Sequence, residues 1–296
     1  MKKENFTIVI SFFCIWFTAY FSPHIQTVSA FLLIITFGIL HGSNDIVLLN
    51  KINQSSASYS IQKLLLSYVL LVFITVALFY YIPVAGLLTF IMVSSFHFGE
   101  QHWSKKLTID NSVIKKGFEF FYGLFILFLL FNFQPIEVKK VVFAISSIDI
   151  STNFIFYTFI CIGVIVVSGG ILLSFLDSNF KKIATLEAFY IIMFALLFKM
   201  TTLIWGFAIY FIFWHSIPSL MDQVQYLHGS WTIKNFILYC KSAFWYWMIS
   251  ILGIAILYYT LGEKELFEGL FFSFLAAITF PHVLVIIRMN YIKDNN

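Results

Sequence analysis

Charge is scarce in this 296-residue chain. Only 11% of the residues are Asp, Glu, Lys or Arg, against about 25% in soluble globular domains. No stretch is polar enough, or long enough, to fold as a soluble domain. Cysteine is nearly missing too. Cys14, Cys161 and Cys240 lie scattered in apolar runs, with no paired spacing for a zinc site or a disulfide framework, and read as packing residues. There is no internal repeat and no low-complexity tract. The net charge of +4 comes from lysines in short polar gaps. It therefore carries topological information and does not form a nucleic-acid patch.

What the chain has is hydrocarbon: 60% of its residues are hydrophobic and 20% aromatic. Apolar stretches of about 16–25 residues alternate with short polar gaps, the signature of a polytopic helical membrane protein. The expected fold is all-α, a single transmembrane domain over residues 1–296 in the cytoplasmic membrane. Ten spans are expected, at 5–22, 25–49, 61–82, 84–103, 112–133, 153–176, 186–200, 202–220, 234–258 and 266–288. The stretch 186–220 can also be partitioned differently around Lys199 and Thr201-Thr202. Lys2, Lys3 and the run from Phe6 imitate a signal peptide with a cleavage-like Val28-Ser29-Ala30. Cleavage there would cut inside the second apolar run, so a retained first helix is expected.

Orientation follows from the basic residues. With the N-terminus inside, the cytoplasmic segments hold most of the Lys and Arg, among them Lys51, Lys105, Lys106, Lys115, Lys116, Lys181 and Lys182. The outer segments hold Lys139, Lys140, Lys199 and Lys264. That bias places both termini in the cytoplasm. Between the fifth and sixth spans, Val138, Val141, Val142, Ile145 and Ile148 follow helical spacing, which fits a short interfacial helix; a plain loop also fits.

Against this background Gly38-Ile39-Leu40-His41-Gly42-Ser43-Asn44-Asp45 stands out. Polar groups inside a membrane span are expensive and are functional candidates by default. His97, His215 and His282 lie in comparable apolar runs. With the topology above, all four histidine-bearing spans run from outside to inside. The four imidazoles then sit about 8–12 Å below the cytoplasmic boundary, at 1.5 Å rise per residue. Four imidazoles at one depth can converge on a single iron, copper, zinc or nickel ion. Asp45, four residues after His41, shares its helix face and can orient its ring. Glu100, three residues after His97, can orient that ring or join as a ligand; Glu119 falls at a similar depth. Gly42 and Gly99 leave room for close helix contact, and Pro281 can bend its helix toward the site. His24, His102 and His228 are not expected as ligands. Lys241 is expected to snorkel to the headgroups, not to hold a chromophore.

At these residues the chain resembles the bacteriorhodopsin-related-protein (Brp/Blh) family of integral-membrane β-carotene 15,15′-dioxygenases. Four segments carry the resemblance: His41-Gly42-Ser43-Asn44-Asp45, His97-Phe98-Gly99-Glu100, Phe213-Trp214-His215-Ser216 and Pro281-His282-Val283-Leu284. The resemblance implies an Fe(2+)-dependent enzyme that splits the central double bond of β-carotene, or of a related carotenoid, with O2 to give two molecules of retinal. A microbial rhodopsin is then the downstream consumer. The family often carries a second histidine four residues after the first in its third motif, where this chain has Ser219. Either His282 supplies the fourth ligand, or the fourth position is open or held by water. The implied site is His41, His97, His215 and His282, with Asp45, Glu100 and Ser219 behind them and membrane lipid around an apolar cavity.

A different class also fits an intramembrane polar layer: a transporter or accessory protein with a metal or proton pathway. Such a pathway needs polar residues continuing toward both faces. Ala30 to Leu40 and Phe267 to Phe280 are almost wholly apolar, which favours a one-sided enzyme site fed from the bilayer. Stacked haems would need histidines at two depths, and only one is found.

Overall fold

The computed structural model describes residues 3–56, 61–261 and 264–294, and among them every regular element is helical. The first half comprises α1 (Lys3–Tyr20), α2 (Pro23–Leu33), a π-helical segment (Ile34–Gly38), α3 (Ile39–Gly42), α4 (Asp45–Ser56), α5 (Ile61–Tyr81), α6 (Pro83–Trp103) and α7 (Ser112–Phe133). The second comprises α8 (Pro135–Ser146), α9 (Thr152–Leu176), α10 (Ser178–Met200), α11 (Leu203–Ile209), a second π segment (Tyr210–Ser216), α12 (Ile217–His228), α13 (Ile233–Leu261) and α14 (Lys264–Asp294).

Seven stretches among the described residues are long and apolar enough to cross a membrane: Pro23–Asn53, Gln62–Tyr81, Thr152–Leu176, Ser178–Met200, Leu203–His228, Ile233–Ile256 and Leu270–Ile292. Each matches one of the expected spans. The other three expected spans are helices as well. In α1 the apolar part, Phe6–Tyr20, is shorter; α6 ends in a polar turn, and α7 opens on Lys115, Lys116 and Glu119. Some of these stretches bury little of themselves in protein, only 11% for Gln62–Tyr81 and 17% for Thr152–Leu176, while Leu203–His228 is 78% buried. Helices that satisfy their own backbone but leave such faces uncovered fit a lipid environment. Residues 135–146, where a helix and a loop both fitted, form α8, closed by Ser147 in the left-handed region at φ 56°.

The chain folds into two compact units, each assembled from separated segments. The first comprises residues 1–32, 91–143 and 147–215. Here α7 packs on α9 and α10, and α6 is seated on α7 through two glycines. A Cβ on Gly99 would lie 1.7 Å from the Glu119 carbonyl oxygen, and one on Gly123 only 1.8 Å from that of Ser95. Trp103, Phe118, Tyr122 and Phe180 fill the adjoining core. The indole N–H groups of Trp205 and Trp214 donate to Thr18 Oγ1 and Ser11 Oγ of α1, at 3.0 and 2.9 Å.

Asp177 ties this unit together at a helix end. Its carboxylate accepts from the Thr108 amide and hydroxyl at 2.6 and 2.8 Å, from the Ile109 amide, and from the first amides of α10 at Asn179 and Phe180. Burial alone would raise its pKa, but the bonds from Thr108, Phe180 and Asn179 hold it below the usual 3.8. Asp177→Ala is expected to cost about 1–2 kcal/mol for the lost N-cap, measured by thermal unfolding in detergent. Because the folded pKa is depressed, this stabilisation is complete above the unfolded value and disappears as pH falls through the folded one. The gap between wild type and variant is therefore expected to close only below the ordinary carboxylate range.

The second unit comprises residues 33–90, 144–146 and 216–296. α14 packs against α5, α4, α13 and α3. Leu48, Leu49, Ile52, Val285, Ile286 and Met289 make its core near one end. Lys51 donates to the carbonyls of Tyr226 and Leu227 at 2.7 and 2.8 Å, satisfying the last turn of α12. Trp247 Nε1 donates to the Ile35 carbonyl of the first π segment at 2.9 Å.

Candidate metal centre

The polar run 41–45 divides its labour. The helix breaks at Ser43 and Asn44, between α3 and α4. Ser43 Oγ donates to the Ile39 carbonyl at 2.6 Å. Asn44 Nδ2 donates to the Tyr239 carbonyl at 2.9 Å, and its Oδ1 accepts from Ser242 Oγ at 2.9 Å. These two residues fasten the break to α13. His41 and Asp45, on either side of it, are left for chemistry, 2% and 1% exposed.

In the second unit His41 meets His282 of α14. Their Nε2 atoms are 2.8 Å apart and the rings are edge-on, with centroids at 4.4 Å. Asp45 does not serve His41, as uninterrupted helical spacing predicts. Its Oδ1 accepts from His282 Nδ1 at 2.7 Å, and its Oδ2 from the Tyr68 hydroxyl at 3.0 Å. The break at Ser43-Asn44 turns the carboxylate toward α14. His41 Nδ1 is instead 3.0 Å from Gln223 Nε2 on α12, and Gln223 Oε1 accepts from the Tyr239 hydroxyl at 2.7 Å. Gly42 brings α3 close to α14: a Cβ there would lie 3.6 Å from Ile278 and 3.8 Å from His282 Nδ1. Ser219 is also buried, and its hydroxyl has no hydrogen-bond partner among the described residues.

The first unit holds the other pair. His97, near the end of α6, and His215, in the second π segment, are 1% and 2% exposed. Their rings are edge-on with centroids 4.5 Å apart, and Phe98 packs on His215 at 4.7 Å. Glu100 is half-buried. Glu119 is buried, and its Oε1 has no hydrogen-bond partner among the described residues. π-helical turns are uncommon and concentrate at functional sites; His215 lies within one, and His41 three residues beyond the other.

Residues 32–290, most of the chain, match the family model described as beta-carotene 15,15'-dioxygenase. The chain belongs to this family. It is a carotenoid-cleaving dioxygenase. Comparison with curated proteins and with solved structures gives no match.

The imidazoles of this dioxygenase fit a metal ion. The Nε2 atoms of His41 and His282 lie 2.8 Å apart, near enough for one ion to reach both with bonds of about 2.0–2.1 Å. At His282 the Nδ1 proton also has a carboxylate acceptor in Asp45, the arrangement that orients metal-bound imidazole, while His41 Nδ1 faces the Gln223 amide nitrogen. The remaining histidines are otherwise engaged or exposed. His102 Nε2 lies 2.6 Å from Glu187 Oε2, which shares its carboxylate with Lys106. His24, His228 and Lys241 are exposed. The residues that sequence reasoning missed are Gln223, Tyr239 and Tyr68, none of them within a helical turn of a histidine along the chain.

Proposed function

We propose that this membrane-embedded dioxygenase uses a non-haem Fe(2+) held by His41, His97, His215 and His282 to split the central double bond of β-carotene with O2, giving two retinals. Asp45 and Glu100 stand behind the ligands, and Ser219 lines the site. The protein spans the cytoplasmic membrane with both termini inside and supplies retinal to a microbial rhodopsin. The observation that carries this reading is the buried His41–His282 pair, whose Nε2 atoms lie 2.8 Å apart, both within reach of one ion.

Each residue contributes a definite action. Asp45 holds the Nδ1 proton of His282, which keeps the Nε2 lone pair available. Tyr68 holds the other carboxylate oxygen and fixes the direction of that acceptor. Bound Fe(2+) supplies the activation of O2, a spin-forbidden oxidant toward closed-shell alkenes. The buried imidazoles exclude water, which protects reactive intermediates. An apolar groove of about 370 Å3 in the second unit passes Gly42, Asp45, Tyr68, Tyr246, Gly253 and Phe274. A second, of about 590 Å3, shares Val72, Phe274 and Ile278 with it. Tyr246 and Ile249 at its rim are exposed, so the groove is open to lipid and suits a polyene that enters sideways.

The test is purification in detergent, loading with Fe(2+) under anaerobic conditions, and chromatography of products from β-carotene after O2 is admitted. About one iron per chain and retinal as the only aldehyde are expected. Longer apocarotenals would overturn the central position of cleavage, and turnover by iron-free protein would overturn the metal. Gly253→Trp, which fills the groove opposite Phe274, is expected to raise KM severalfold and leave iron content unchanged.

A further inference from the structure

We infer that Gln223, held by Tyr239, is the positioning residue for His41, and that its carboxamide turns end for end when a metal ion binds. This rests on the metal reading above. Gln223 and Tyr239 are both fully buried. An amide in such a place is costly unless both of its ends are bonded, and here both are. Read from the donors, the bonds run in one direction. The Tyr239 hydroxyl donates to Gln223 Oε1, and Gln223 Nε2 donates to His41 Nδ1. His41 then carries its proton on Nε2, which donates to His282 Nε2, and His282 Nδ1 donates to Asp45. Each link has one donor and one acceptor, which describes two neutral imidazoles beside the Asp45 carboxylate, without an ion.

With an ion on both Nε2 atoms the requirement at one end reverses. Both rings must then carry their protons on Nδ1. His282 already does, and Asp45 accepts it. His41 needs an acceptor where an amide N–H now points. Half a turn of the Gln223 carboxamide supplies one, because its oxygen and nitrogen exchange nearly equivalent places. The turned NH2 donates to the Tyr239 oxygen. The displaced hydroxyl proton has the carbonyls of His41 and Leu40 within 3.3 and 3.4 Å. A carboxylate here could only accept, and an ammonium only donate; a glutamine serves both states. The two imidazoles are consequently unequal, His282 backed by an anion and His41 by a neutral dipole.

The test uses the full-length chain in detergent with Fe(2+) and Co(2+) as probes, reading the dissociation constant by chelator competition and the melting temperature with and without ion. Gln223→Met, of similar volume but without a polar end, is expected to weaken binding about 10–100-fold, as loss of a ligand's outer partner commonly does. Gln223→Glu keeps the acceptor. It is expected to bind within a few-fold of wild type or more tightly, while its ion-free form melts lower, so that added ion raises the melting temperature further than in wild type. Tyr239→Phe is expected to fall between wild type and Gln223→Met. A purely structural role would instead weaken binding equally in both Gln223 variants, and that result overturns the assignment. So does wild-type affinity in Gln223→Met or, should that variant not fold, in Tyr239→Phe. Failure of the wild-type chain to take up either ion overturns the metal reading itself.

Discussion

His282→Ala is expected to lose its iron and, with it, all turnover above background. The imidazole is 4% exposed and bonded on both nitrogens, to Asp45 and toward His41, so nothing adjacent can replace it. Removing it also leaves the Asp45 carboxylate buried without its strongest donor, which makes water or a cation welcome there but does not restore a ligand. Metal analysis of the purified variant decides the point, with His41→Ala as the matched loss. Asp45→Asn should be milder, about 10–100-fold in affinity or activity, the usual scale for a group behind a ligand. Ser219→His examines the departure from the family pattern. If His282 completes the site, an extra imidazole on α12 leaves iron content unchanged or lowers it. Tighter iron in Ser219→His, together with retained iron in His282→Ala, would remove His282 from the ligand set.

The second large effect is steric. Gly99→Ala is expected to cost more than about 3 kcal/mol, the upper end of ordinary overpacking, or to prevent recovery of folded protein. The added methyl would sit 1.7 Å from the Glu119 carbonyl oxygen. No rotamer relieves a collision between a Cβ and a backbone, so α6 and α7 must separate. Because α6 carries His97 two residues before Gly99, iron content should fall even in whatever folds. Gly117→Ala, two residues from Glu119 on α7, supplies the control. A Cβ there meets nothing within 4 Å, and replacing glycine inside a helix gains up to about 1 kcal/mol. Fluorescence-detected melting of the two variants in one detergent separates packing from propensity.

Much of this architecture is legible in the sequence because lipid imposes one strong rule on composition, and every expected span is helical, the second with a break at Ser43-Asn44. The four histidines are legible for the same reason: in runs such as Phe207–Ile212 followed by Phe213-Trp214-His215 there is little other polarity to distract from them. The partners were harder to read. Asp45 sits four residues after His41, a spacing that predicts a shared face, yet the break at Ser43-Asn44 hands it to His282, 237 residues away. Gln223 and Tyr239 look like ordinary polar residues at the polar end of one span and within another. Only the approach of α12 and α13 to α3 makes them a pair. Helical periodicity reports what lies along one rod; it carries no information on which rod lies alongside.

The two π-helical segments have a consequence for anyone altering this chain. A π turn accommodates one residue more than the α pitch, and each α residue turns the helix by about 100°. Ile34–Gly38 and Tyr210–Ser216 therefore each hold a residue that continuous α-helix would not need. A one-residue deletion inside either can close it to α-helix with the downstream faces nearly unchanged. The same deletion in α2 would swing everything after it by roughly that angle and carry His41 off the side of the rod that meets α14, without altering a single ligand.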